Sequence, residues 1–276
     1  MQKKFEDLSF TDDFMFCKIM YDNEDICKEI VELLLGCRVK KVIYPEKQKS
    51  IDITADSKGI RLDVYLQDDD TVYDIEMQTT VNLDIPKRAR YYQGMIDLNL
   101  IDKGAAYNEL KKSYVVFICL NDIFHKNRSI YTFKSVCIED SDIILADEAT
   151  KVFVNANGCR DGLTSAQISF LDYISGKEPT DYFTERLNKV VKKAREKEEW
   201  RTEYMTLLQR DREKRAEGKL EKLVELIVRK IKKNKPVDVI ADELEEDIDT
   251  VQRIYEVANE FAPDYDIDEI CEKLNR

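Results

Sequence analysis

Residues 60–78 read IRLDVYLQDDDTVYDIEMQ, two runs of alternating character around the polar segment QDDDT. That pattern predicts a β-hairpin. Alternation places Leu62, Val64 and Leu66 on one face of the first strand and Asp63, Tyr65 and Gln67 on the other. In the second strand, Tyr73, Ile75 and Met77 face away from Asp74, Glu76 and Gln78. Keeping the apolar faces together fixes the parity of the pairing, because a one-residue slip inverts every side chain. A two-residue turn at Asp69 and Asp70 then sets Val64 opposite Ile75 and Asp63 opposite Glu76. Directly opposed residues have Cβ atoms ~4.5–5.5 Å apart. Two carboxylates at that distance repel unless one holds a proton or a cation lies between them. A hard divalent ion that keeps several waters, as magnesium does, suits such a pair.

On either side of the hairpin the chain alternates between strand and helix signals. VKKVIY and SIDIT precede it as strand-like runs, and SYVVFICL, SIYTFKSV and KVFVN follow it. Residues 114–120, YVVFICL, are apolar throughout, which predicts a central strand buried on both faces. Two helices are expected before the strands, one after Thr11 through FMFCKIM and one over DICKEIVELLLG with Gly36 as its stop. Another spans IPKRARYYQGMIDLNLIDKG, with Pro86 near its start and Gly104 after its end. The fold class is therefore α/β.

The chain has 276 residues, with 44 Lys and Arg against 56 Asp and Glu, a net charge of -12. A hydrophobic share of 43% is enough for a sizeable core and excludes disorder over the whole length. The charge is zoned. Residues 186–235 hold 18 basic and 9 acidic side chains, a balance of +9, whereas residues 236–276 hold 14 acidic and 3 basic. The basic segment is the electrostatic footprint that DNA would favour, although charge runs of this kind also form solvated helices laced with Glu–Lys pairs. After Pro236 the pattern resembles a helix-turn-helix, with Thr250 as the expected cap of its second helix. Asp249, Glu256 and Glu260 there outweigh the one base, Arg253, which favours a regulatory or oligomerising role over DNA reading.

Seven cysteines without a CxxC pair (Cys17, Cys27, Cys37, Cys119, Cys137, Cys159 and Cys271) are expected to be reduced and mostly buried, and the single histidine, His125, lies in a polar stretch. No apolar run reaches the ~18 residues of a membrane span, and MQKKFEDLSF lacks the apolar block of a signal peptide, so a cytoplasmic location is expected.

Taken in order, TDDFMFCKIM, RLDVYL, YDIEMQ, PKRARYYQGMID, KGAAYNELKKSYVVFICL and IYTFKSVC resemble the recombination-promoting nuclease and transposase family of the PD-(D/E)xK superfamily, over roughly residues 9–160. The resemblance implies a restriction-endonuclease-like mixed sheet of four or five strands flanked by helices, followed by an all-helical C-terminal extension. It also implies an endonuclease that binds Mg2+, or Mn2+ in its place, and hydrolyses DNA phosphodiesters. Asp63 and Glu76 match the two metal-binding acids, with the carbonyl of Met77 as a further ligand and Asp13, with Asp12 close behind, as a third acid from the first helix. Helix capping is the competing role for those two. Gln78 stands where the superfamily has its lysine. A neutral amide orients water but supplies no charge, so the missing cation would come from Lys87 or Arg88. Lys87, Arg88, Arg90 and Tyr92, on the basic and aromatic helix that follows, are the candidates for meeting phosphate.

Three parts follow from this reading: a nuclease-like domain over 1–176, a basic helical linker over 177–235, and a small acidic helical module over 236–276. DNA is the expected partner, and a cut in both strands would suit a homodimer. A catalytically silent DNA-binding or assembly protein on the same fold is the alternative that Gln78 and the net acidity favour. A glycosidase-like use of the acid pair is disfavoured because no substrate cleft of aromatic residues is evident around the hairpin and Trp200 is the one tryptophan of the chain.

Overall fold

The structure is a computed structural model that describes residues 3–44, 50–51 and 60–275. It divides into two compact units, residues 1–201 and 202–276. The first opens with α1 (Asp13–Asp22) and α2 (Glu24–Leu35), the latter closed by Gly36 in the left-handed conformation. Then come β1 (Ser50–Ile51), β2 (Ile60–Arg61), β3 (Val64–Gln67) and β4 (Thr71–Gln78). α3 (Ile85–Leu100), with Pro86 in its first turn, leads to β5 (Lys112–Cys119), β6 (Ile130–Phe133) and β7 (Ala149–Asn155). α4 (Ser165–Ile174) and α5 (Tyr182–Ala194) follow, each opened by a capping box.

Five strands form one mixed sheet in the order β3-β4-β5-β7-β6, while β1 and β2 pair separately. β5, the apolar run, lies at the centre with parallel neighbours β4 and β7, and β3 and β6 are antiparallel to theirs. This is the mixed sheet flanked by helices that the resemblance implied. Of the strand-like run at residues 39–44, only Ile43 bridges, to Gln67, and residues 52–54 of the SIDIT run lie outside the described residues.

The hairpin has the expected register, with Val64 opposite Ile75 and Gln67 opposite Val72, and its turn is the two residues Asp69 and Asp70. The expected first strand is broken, however. A bend at Leu62–Asp63 separates β2 from β3, so Leu62 does not share a face with Val64. It packs instead with Tyr65 in the core formed against α3. That core joins Tyr65, Val72, Val115, Phe117 and Phe153 of the sheet to Ile85, Ala89, Met95 and Ile96 of the helix. Asp74 and Glu76 alternate with Val72 on β4 and thus share the helix-covered face. The acid face is therefore buried, not a solvated surface.

β3 is an edge strand, and its outward N–H groups are occupied. Gln67 N–H donates to the Ile43 carbonyl at 2.9 Å, and Tyr65 N–H donates to the Tyr21 hydroxyl at 3.2 Å. The second bond ties α1 to the hairpin.

The charge zones do not coincide with the compact units. Charge reports solvent-facing side chains, whereas the units follow buried stripes. In the first unit, α5 packs against α1 and α4 and buries Phe183, Leu187 and Val191, so this unit runs well past residue 176. α6 (Glu198–Ile231) continues into the second unit. There its Val224, Ile227, Val228 and Ile231 share a core with α7 (Val237–Leu244), α8 (Ile248–Glu260) and α9 (Ile267–Leu274). α9, opened by Asp266, completes what the pattern showed as two helices, and Asp247, not Thr250, caps α8. Arg253 donates to the Leu274 carbonyl at 2.7 Å. Part of the basic segment is paired locally: Arg186 with Glu29, Lys197 with Asp22, Arg201 with Glu6, and Lys230 and Lys235 with Glu243.

Replacing Tyr21 by Phe would leave the buried Tyr65 N–H without its acceptor. Urea unfolding of Tyr21→Phe is expected to show a loss of about 1–3 kcal/mol.

Candidate metal centre

The β3–β4 ladder stops at Val64 and Ile75, and carboxylates take over beyond it. Asp63 N–H donates to Glu76 Oε1 at 2.9 Å, and Met77 N–H donates to Asp63 Oδ2 at 3.2 Å. Two N–H groups released by the bend are thus satisfied by opposing acids, which holds Asp63 beside Glu76. The pairing expected from the register is met at the side-chain level. Met77 contributes its N–H to this exchange, and its side chain is buried on the sheet face opposite Glu76.

Asp74, to which the sequence assigned no role, is the most enclosed of these groups. It has no exposed surface, and its carboxyl oxygens meet only the Glu76 carboxyl, a contact that becomes a hydrogen bond when one of the two acids holds a proton. Glu76 is 3% exposed. Burial, with the charge of Asp63 added, holds the Asp74 carboxyl well above the usual range. Burial and then the charges of Asp74 and Asp63 do the same to Glu76, opposed by the Asp63 N–H and Arg88. Nothing in the run YDIEMQ marks Asp74 as the enclosed acid, because its burial comes from α3, which lies outside that run.

Arg88 is the cation that meets these acids. Its Nη2 lies 3.3 Å from Glu76 Oε2 and donates to the Tyr92 hydroxyl at 2.9 Å, while Nη1 donates to Gln78 Oε1 at 2.9 Å. The guanidinium carbon sits 5.3 Å from the ring centres of both Tyr92 and Phe117. Gln78 fixes its other end by donating Nε2 to the Thr80 carbonyl and hydroxyl at 2.9 and 2.8 Å. The amide at the lysine position therefore orients a guanidinium. Tyr92, expected to meet phosphate, is buried and supports Arg88 instead, because the helix turns it toward the sheet. Lys87 and Arg90 are exposed on the other side of α3 and are not gathered with the acids.

α1 brings a further group. One ligand atom from each of Asp13, Cys17 and Asp63 lies within 4.8 Å of the other two. Asp13 is thus placed at the acids, whereas the Asp12 carboxylate accepts from Ser9 N–H and Oγ, both at 2.7 Å, and from Lys3 at 2.8 Å. Cys17 went unassigned. Its four-residue spacing from Asp13 puts both on one helix face, a signal that could have found it. All seven cysteines are reduced, but only Cys17, Cys27 and Cys119 are buried, fewer than expected.

The arrangement suits a divalent cation. Asp13 lies beside Asp63, and Asp63, Asp74 and Glu76 act on one another at the end of the hairpin. Only a proton shared with Glu76 balances the burial of the Asp74 oxygens. Because the folded state holds protons on Asp74 and Glu76 that the unfolded chain releases near the ordinary values of 3.8 and 4.5, the protonated pair favours folding. Stability falls as pH rises above that range. Thermal unfolding of the metal-free protein from pH 4 to 8 is expected to show this decline. Asp74→Asn should flatten it and raise the midpoint at pH 8.

No helix among the described residues is long and apolar enough to cross a membrane. No curated protein and no solved structure matches the chain significantly. The family model for PD-(D/E)XK nuclease family transposases matches residues 10–173, from the start of α1 through the sheet and into α4. That match covers more than half of the chain and includes every acid of the centre, and the protein belongs to the PD-(D/E)XK nuclease family transposases.

Proposed function

We propose that the protein is a magnesium-dependent DNA endonuclease whose reaction centre is Asp63, Glu76 and Arg88, with Asp13 contributed by α1. The observation that carries this reading is the exchange of N–H and carboxylate contacts between Asp63 and Glu76. It aims two acids at one place and leaves oxygen lone pairs for a hard cation. Asp63 and Glu76 would hold the ion, with the Met77 carbonyl as a further candidate ligand. Magnesium, or manganese in its place, supplies Lewis acidity toward a phosphodiester oxygen and lowers the pKa of a bound water.

The remaining work falls to the chain itself. Arg88, anchored by Gln78 and Tyr92, offers a fixed positive charge where a phosphodiester gains negative charge in the transition state. It does what the superfamily lysine would do for electrostatics. A guanidinium does not lose its proton, so it cannot act as a base toward water. Asp74 raises the proton affinity of Glu76, so a bound ion has to displace a proton and its binding strengthens as pH rises. Lys87 and Arg90, exposed on α3, are available to the DNA backbone.

Nicking of supercoiled plasmid by the full chain with magnesium or manganese tests this directly. Asp63→Ala and Glu76→Ala are each expected to lower the rate by about 10³-fold or more. An unchanged rate in both would remove the centre from the reaction. Metal binding without nicking by the unaltered chain would leave a DNA-binding or assembly protein on a nuclease fold. Arg88→Lys, which keeps the charge but not the fork between Glu76 and Gln78, is expected to lose ~10–100-fold in kcat with little change in the magnesium requirement.

A further inference from the structure

The segment NDIFHKNRS, which holds the single histidine, joins β5 to β6 and leaves the sheet at the acid end. β4 and β5 run parallel with Gln78 opposite Cys119, and the next N–H, that of Leu120, donates to the Gln78 carbonyl at 3.1 Å. The loop therefore begins beside the residue that anchors Arg88. Its apolar members turn it onto the face that α3 covers. Ile123, Phe124 and Tyr131 pack against the core of Tyr92, Phe117 and Phe153, with the ring centres of Phe124 and Phe153 5.2 Å apart. The electrostatics agree with that placement. Burial pushes the Cys119 thiol up to about 12, and of the charges acting on it Arg88 lowers its pKa while Asp122 raises it.

The loop is fixed from within. The Asp122 carboxylate accepts from the N–H groups of Phe124 and Asn127 at 3.0 and 2.6 Å and from the Tyr131 hydroxyl at 2.9 Å. That hydroxyl in turn accepts from Arg128 N–H at 3.0 Å. Asn155 of β7 holds the far side, its N–H donating to the Ser129 carbonyl at 2.8 Å and its side-chain amide to the Arg128 carbonyl at 3.2 Å. Gly158 permits this close approach, since a Cβ there would stand 2.5 Å from the Arg128 carbonyl oxygen. With N–H groups spent inside the loop, what it offers outward is four exposed side chains, those of His125, Lys126, Asn127 and Arg128. Among the described residues, neither Lys126 nor Arg128 has an ion-pair partner. Both line a recess with Ser129, Cys159 and Asp161, where two bases meet one acid.

A rigid loop with two unmatched bases, in a chain of net charge -12, suits a polyanion that approaches the acid end of the sheet. Neighbouring strands lie ~4.8 Å apart, so a loop carried by β5 and β6 stands about 5–15 Å from β4 along that end. At ~3.4 Å per base pair, a duplex with its scissile phosphate at the acids covers this distance within about five base pairs.

We infer that the loop His125–Arg128 is a preformed clamp for the backbone of duplex DNA, with Lys126 and Arg128 each neutralising a phosphate that flanks the cut. The inference rests on the nuclease reading and adds to it where the duplex is held. Contacts of this kind position the duplex and carry no sequence information.

Fluorescence anisotropy of a labelled 20-base-pair duplex with the full chain, in Ca2+ in place of Mg2+, measures the clamp apart from the chemistry. The double variant Lys126→Ala/Arg128→Ala is expected to bind on the order of 10-fold more weakly, to the same extent for duplexes of unrelated sequence. The slope of log affinity against log salt concentration should fall by about 2. Lys126→Arg/Arg128→Lys should keep both affinity and slope, as should Lys103→Ala, an exposed base beyond the other end of α3. In plasmid nicking with Mg2+ the double alanine variant should raise KM with kcat nearly unchanged, whereas loss of Asp63 or Glu76 lowers kcat. An affinity and salt slope unchanged in the double alanine variant, or a loss matched by Lys103→Ala, would overturn the clamp while leaving the acid centre standing. An unaltered chain that binds no duplex would overturn the clamp and the nuclease reading together.

Discussion

Burying carboxylates on the helix-covered face of a β-sheet costs free energy that hydrophobic packing around them does not return. Asp74 and Glu76 occupy that face, between the Tyr65–Phe117 core and α3. The surrounding features follow from making this tolerable. The bend at Asp63 frees N–H groups that the carboxylates of Glu76 and Asp63 accept. α3 brings Arg88 over the pair, and Gln78, Tyr92 and Phe117 hold the guanidinium in place. Asp74 is left with the Glu76 carboxyl as its partner, a contact that needs a shared proton.

A structural economy results. The same residues that stabilise the fold aim the chemistry, because the side chains at the end of the hairpin stand in for backbone ladder partners. Where lysine is usual in the superfamily, the charge has moved to the next helix and the strand position has become its anchor. This keeps a positive charge near the acids but makes it a permanent one, so in the proposed reaction a group other than Arg88 would take the proton from water.

In the second unit, part of the charge is matched internally. Its acidic helices pack around an apolar core continued from α6. The lone base of α8 is bound at the end of α9, and basic residues that looked available for DNA are matched by Glu243 and other acids. The overall charge of -12 is thus compatible with a nuclease whose contacts with phosphate are local, and whose acids are concentrated where a cation is needed.

The hairpin register, the central β5 strand and the stop of α2 at Gly36 could be read from the sequence. Each rests on local periodicity or a single backbone requirement, and the match of Asp63 to Glu76 followed from the parity of the pairing. What the local pattern could not decide was which face of the sheet would be covered. Placing α3 over the acid face is a long-range event, and it buries Asp74 and turns Tyr92 toward the sheet as the support for Arg88. The arrival of Cys17 beside Asp63 is likewise long-range: it depends on α1 docking against the hairpin through Tyr21, a contact 44 residues apart in sequence that no window along the chain contains.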